Sequence, residues 1–198
     1  MTIHGLIFWC FEGFLIYTYG AGRWRSIMGD LDLGYDSFEP LFRYDVDLAN
    51  RLISAAARQL GKPADTLLED FGTFLVTDER VERVRRLLRF GGVDYTDFLH
   101  SLEDLSGRAQ LAVPDLDLPT IELDAVSAEE FRITCYNVSD GVGFILLGIL
   151  RALADDYGAL AYLEHLGREG QDETISIRLL EMRHGTGRAF HLAAGGVS

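Results

Sequence analysis

The chain has 198 residues, 48% of them hydrophobic, and a formal charge of −13. That length and composition allow one domain with a sizeable core and exclude a disordered chain. The negative charge argues against nucleic acid and against an anionic membrane surface as partners, because both are polyanions that bind through clustered Lys and Arg.

The N-terminal run IHGLIFWCFEGFLIYTYG is apolar, but Glu12 interrupts it and neither a basic leader nor a small-residue cleavage site flanks it. It reads as a buried amphipathic helix closed by Gly20 and Gly22, with a second short helix beginning at Trp24, Ile27 and Met28. Asp45 is placed to cap a helix carrying Leu48, Leu52, Ile53 and Ala56, which Gly61 ends. Pro63 fits the first position of the next helix, ADTLLEDFGTFLV. Asp78 fits the cap of a further one bearing Val81, Val84, Leu87 and Leu88. The basic residues Arg83, Arg85, Arg86 and Arg89 read as its solvated face. Gly91 and Gly92 then turn the chain into a helix over Tyr95–Gln110, where Phe98, Leu102, Leu105 and Ala109 recur at helical spacing. Ser106 lies at the edge of that apolar face, where a serine commonly bonds back to a carbonyl one turn earlier.

Past Pro114 and Pro119 the period changes. TIELDAV and EFRITCYNV alternate as strands, GVGFILLGILRALADDYG is a long apolar helix, and TISIRLLEM with GRAFHLAA reads as a hairpin joined through His184, Gly185, Thr186 and Gly187. Helices before and among antiparallel strands make an α+β fold. The two cysteines, Cys10 and Cys135, have apolar neighbours and read as buried free thiols, which fits a reducing, cytoplasmic compartment.

Chemistry-bearing patterns are sparse. There is no Gly-rich phosphate loop, CxxC pair or nucleophile elbow. The carboxylate pairs Glu129/Glu130 and Asp155/Asp156 read as solvated, and His165, His184 and His191 lack metal-ligand spacing. No enzymatic activity and no metal site are expected from these residues.

The order of HGLIF, YGAGRW, FRYDVD, ISAAARQLGKPADTLLEDFGTFLV, FLHSLEDLSGRAQLAVPDL, Tyr136 and LLGILRALADDYG resembles the heme-nitric-oxide/oxygen-binding (H-NOX) family over nearly the whole chain. The resemblance implies a helical N-terminal lobe, about residues 1–62, and a lobe over about 63–198 whose four-stranded antiparallel sheet and helices clasp a heme. In that family a histidine of the FLxxLxxLH helix ligates iron; the pattern falls here on Phe98, Leu99, Leu102 and Leu105, with Ser106 in the histidine's place. The family's Tyr-x-Ser-x-Arg propionate motif maps onto Tyr136, Val138 and Asp140. A carboxylate replacing a guanidinium turns an attraction into a repulsion, worth on the order of a few kcal/mol in a partly buried site. Pro119 matches the proline packed on the porphyrin, and Ile145 falls where oxygen-binding members carry a distal tyrosine. His100 is rotated by about 240° from Ser106 on an ideal helix, whereas His4, Cys10 and Cys135 are other residue types able to ligate iron.

These departures imply a stand-alone regulatory or sensor protein without histidine-ligated heme, which signals in trans to a protein effector because no kinase or cyclase is appended. The acidic surface suits an effector with a basic patch. The alternative is a sensor that still holds heme, another tetrapyrrole or an apolar ligand through substituted contacts. The same substitutions predict that bulky neighbours such as Phe144, Ile145 and Leu146 fill the heme space.

Overall fold

The computed structural model describes residues 2–88 and 92–181. A short strand β1 (Thr2–His4) leads into helix α1 (Gly5–Tyr19), whose first turn is capped by the His4 imidazole: Nδ1 accepts the Leu6 amide at 3.2 Å. Gly20 alone separates α1 from α2 (Ala21–Leu31), so the second helix starts three residues before Trp24. Strand β2 (Arg43–Asp45) pairs antiparallel with β1. Asp45 then caps α3 (Val46–Leu60), its Oδ1 accepting the Asp47 amide at 3.1 Å, and Gly61 closes that helix. Pro63 is the residue before α4 (Ala64–Thr77) rather than its first residue. Asp78 caps a 3-10 turn over Glu79–Val81 that runs into α5 (Glu82–Leu88).

The helix expected over 95–110 is broken. It comprises α6 (Tyr95–Ser101), a 3-10 turn at Leu102–Asp104, and α7 (Leu105–Ala112). The apolar spacing survives the break, because Phe98, Leu99, Leu102, Leu105 and Ala109 are all buried. What changes is the turn itself. Ser101 bonds its hydroxyl to the Phe98 carbonyl, and the Arg108 guanidinium reaches the Ser101 carbonyl at 2.7 Å. Local side-chain bonds of this kind compete with the helical ladder.

Strands β3 (Thr120–Ala125), β4 (Glu130–Tyr136), β5 (Leu160–Glu169) and β6 (Asp172–Glu181) form one antiparallel sheet in the order β3-β4-β6-β5. Helix α8 (Val142–Tyr157), the helix that its continuous apolar run predicts, lies between β4 and β5 in the chain. The partner of β6 in the hairpin is β5, which the sequence reading missed; the anticipated arm and turn at His184–Gly187, with His191, lie outside the described residues. So do Arg89 and Gly91. Strand β5 hides because its exposed positions carry Leu160, Tyr162 and Leu166, which blurs the alternation. The free edge of β3 is partly covered: the Glu103 carboxylate accepts the Leu123 amide at 3.2 Å.

Burial divides into two apolar clusters. One joins α1, α2, α3 and the Leu67, Leu68, Phe71 and Phe74 face of α4; the other joins the inner sheet face, α6, α7 and α8. Helix α4 meets both and packs along α8 at backbone distance. A Cβ at Gly72 would lie 2.0 Å from the Ile145 carbonyl oxygen, and one at Gly148 2.0 Å from that of Glu69. Each glycine is the space into which the opposite helix's backbone fits. Leu75, Phe144 and Ile145 pack against both clusters at this crossing.

Candidate functional site

Ser106 stands on the first turn of α7, half-buried, and its hydroxyl has no hydrogen-bond partner among the described residues. It does not bond back to the preceding turn. Its chain neighbour Leu105 is buried in the sheet-side core, and Leu118, next to the half-buried Pro119, packs against the same core. Pro119 immediately precedes β3, where its lack of an amide proton costs the ladder nothing.

The motif residues of β4 part company. Phe131, Ile133 and Cys135 point into the core, so the strict alternation of a strand sends Tyr136 to the opposite face of the sheet. There its hydroxyl donates to Glu122 at 2.6 Å, and this bond to a carboxylate holds the phenol above its ordinary range. Val138 is buried in the core, whereas Asp140 is 87% exposed at its side chain. Ile145 is half-buried at the crossing of α4 and α8, and Leu146 is buried beside it. The structure thus brings Val138 and Ile145 into one core with the flanks of Ser106 and Pro119, and leaves Tyr136 and Asp140 outside it.

The loop that follows Tyr136 is satisfied by groups that the sequence reading did not select. Glu173, 1% exposed, reaches from β6 to the first turn of α8, where its Oε1 accepts the Gly141 amide at 2.8 Å and its Oε2 accepts the Gly143 amide. Here a carboxylate from another strand serves as the anionic cap that the positive end of a 16-residue helix favours. Arg168 lies 3.3 Å from Glu173, donates to the Val138 carbonyl at 2.9 Å, and pairs with Asp140 at 3.5 Å. A signal for Glu173 was present in the sequence: extending the inward parity of Ile175, Ile177 and Leu179 backward by one step makes it face the core.

The other iron-ligand types are committed elsewhere. His4 uses Nδ1 as a helix cap, and His100 is exposed with its ring edge-on to Phe131 at 6.2 Å. Cys10 and Cys135 are buried free thiols, each pushed up to about 12, Cys10 by burial and Cys135 by burial and then the nearby Glu173 charge. Folded protein at pH 8 is therefore expected to resist iodoacetamide, with both thiols reacting only after unfolding, as mass spectrometry will count. Because the folded state keeps these protons while an unfolded thiol releases them near its ordinary value, stability falls as pH rises from about 9 toward 12.

Two concavities stand out among the described residues. A cleft of about 130 Å³ beside α1 is lined by Trp9, Cys10, Glu12, Phe74 and Arg80, among others, and a shallow groove of about 360 Å³ lies between α2 and α3. Neither is lined by Ser106, Pro119, Tyr136, Val138 or Ile145. No group of three or more His, Cys, Asp or Glu side chains among the described residues is arranged to hold a metal ion. No helix there is long and apolar enough to cross a membrane. A hydroxyl, an isopropyl group and an exposed carboxylate replace the imidazole, hydroxyl and guanidinium that the resemblance requires, so the donor set does not fit a histidine-ligated heme.

The Haem-NO-binding family model matches residues 4–165. Soluble guanylate cyclase gcy-35 of Caenorhabditis elegans is 28% identical over 153 residues, covering 74% of this chain and 22% of the relative. Soluble guanylate cyclase 89Db of Drosophila melanogaster is 20% identical over 158 residues, covering 80% and 24%. The chain spans about a quarter of the length of these curated relatives. Among solved structures, an H-NOX protein mutant from K. algicida, in the unliganded Fe(II) state, superposes with a TM-score of 0.76 at 18% identity, covering 90% of this chain and 97% of that one. An H-NOX protein from S. oneidensis in the Fe(II)NO state gives 0.74 at 16% identity, covering 90% and 100%. The order of elements, the antiparallel sheet behind α8 and the matched span lead to one conclusion: the chain belongs to the haem-NO-binding family, with the H-NOX fold of a sensor domain.

Proposed function

We propose that this protein is a regulatory member of the family that works without histidine-ligated heme and signals in trans through contact with a protein effector. The observation that carries this reading is the loop after Tyr136. Where the resemblance calls for side chains that bind heme propionates, the protein's own Glu173 and Arg168 satisfy the loop, and Val138 is packed in the core. Ser106 adds to it, since a neutral serine hydroxyl is a poor iron ligand beside imidazole or thiolate. The cytoplasm, with its reduced thiols, suits two buried cysteines. The net charge of −13 favours an effector with a basic patch and an association weakened by salt. The chain itself supplies a surface and not a catalyst.

Titration of the purified protein with hemin tests the reading. No stoichiometric Soret band and only weak, non-saturating absorbance changes are expected; a tight one-to-one complex overturns the proposal in favour of a heme-holding sensor with substituted contacts. The triple variant Ser106→His, Val138→Ser, Asp140→Arg is expected to recover partial binding only. An arginine at 140 would approach Arg168, which now pairs with Asp140 at 3.5 Å. A folded triple variant with no binding at all would assign the loss to the packing of Ile145 and Leu146 rather than to the three replaced groups.

A further inference from the structure

We infer that His165 is a proton-operated switch for the bulge in β5: protonation turns its Nδ1 from acceptor to donor, releases the Gly167 amide and draws the imidazolium onto Glu173. The inference stands apart from whether heme is bound.

Geometry fixes the starting state. The Gly167 amide donates to His165 Nδ1 at 3.2 Å, across the irregularity where β5 slips its register between His165 and Gly167. An Nδ1 that accepts carries no proton, so the neutral ring carries its proton on Nε2. The side chain is nine-tenths buried, and Nε2 lies 3.5 Å from Glu173 Oε2 without a hydrogen-bond partner among the described residues. The ring is confined on the α8 side as well. A Cβ at Gly143 would lie 2.6 Å from Nε2 and 2.5 Å from Glu173 Oε2, so only glycine leaves room for the pair. Phe144 stacks on the imidazole with centroids 4.2 Å apart.

A second proton has one place to go, Nδ1, and there it displaces the Gly167 N–H, because two donors cannot share that bond. The imidazolium would then face the Glu173 carboxylate and the Phe144 ring. Among the described residues the other charged groups nearby are few. Arg168 of β5 lies 3.3 Å from Glu173 and opposes a further positive charge, while Asp140, on the loop before α8, pairs with Arg168 and offsets it. On α8, Arg151 donates to the Leu163 carbonyl and is neutralised by Glu69 of α4. Cys135 on β4, opposite Glu173 in the ladder, keeps its proton well above the neutral range. Histidine is the side chain that ordinarily changes charge between pH 5 and 8. Because Phe144 packs against both apolar clusters, a shift of the ring it stacks on reaches the junction of α4 and α8.

The test is a pH titration of the 15N-labelled wild-type protein by NMR from pH 8 to 5. The His165 ring signals and the Gly167 amide are expected to move with one midpoint, and Gly167 amide exchange, corrected for its intrinsic pH dependence, to rise about tenfold as the bond is lost. The His165→Gln variant, which cannot take up the proton, is expected to leave the Gly167 amide flat across the range. A ring that titrates while Gly167 stays still, a ring that does not titrate in this range, or a Gly167 response that persists in His165→Gln would each overturn the inference. The wild-type titration decides the matter even where the variant fails to fold.

Discussion

Replacing Gly148 by valine is expected to destabilise the protein by more than about 3 kcal/mol and lower its Tm by roughly 6–12 °C. The atom that a Cβ would strike is backbone: the Glu69 carbonyl oxygen at 2.0 Å and its carbon at 2.9 Å. Backbone in the middle of α4 cannot turn aside as a side-chain end can. Gly72 mirrors it from the other helix, against the Ile145 carbonyl oxygen, so the whole α4–α8 crossing would have to spread. That spreading would separate Leu75, Phe144 and Ile145 from the two clusters they join. Gly107 makes the control. It sits within α7 with open space around its Cβ position, and Gly107→Ala is expected to gain up to about 1 kcal/mol from helix propensity alone. Thermal unfolding followed by circular dichroism measures both; a Gly148→Val protein that melts with the wild type would mean that the helices do not approach this closely.

The two helices of this crossing were legible in the residues, though not their close approach. The apolar run of α8 and its bounding glycines, Gly141 and Gly158, mark a buried helix, and Asp45 and Asp78 both act as caps, Asp78 of the 3-10 turn that leads into α5. Local chemistry of that kind involves residues two or three apart and leaves its mark in the sequence. What a single sequence conceals are the pairings between distant segments. Helix 95–110 has the right apolar spacing, yet nothing in that spacing announces that Arg108 and Ser101 will break it at Leu102–Asp104. Strand β5 looks unlike a strand because an edge strand need bury only alternate residues, and its inward ones include Ala161, His165 and Gly167. The candidate pocket positions came from the resemblance. Their placement depends on strand parity, which sends Tyr136 to one face and Cys135 to the other, and on Glu173, a carboxylate 33 positions beyond Asp140 that packs against the same loop.

That carboxylate carries the other large effect. Glu173→Ala is expected to cost about 3–5 kcal/mol, because removing one partner of a buried ion pair leaves the other uncompensated. Three losses coincide: the Gly141 and Gly143 amides at the start of α8 lose their acceptor, Arg168 loses its buried partner, and the helix loses the anion at its positive end. Glu173→Gln separates them. A glutamine oxygen keeps one amide bond but brings two N–H donors toward two other donors, so it is expected to fall between wild type and alanine rather than rescue the site. Adding Arg168→Ala to Glu173→Ala should cost much less than Arg168→Ala does alone, since the guanidinium would then have no buried carboxylate to compensate. Urea unfolding of the four proteins gives the cycle. If the two single substitutions add without coupling, Glu173 and Arg168 do not act as a pair, and the loop after Tyr136 is held by something else.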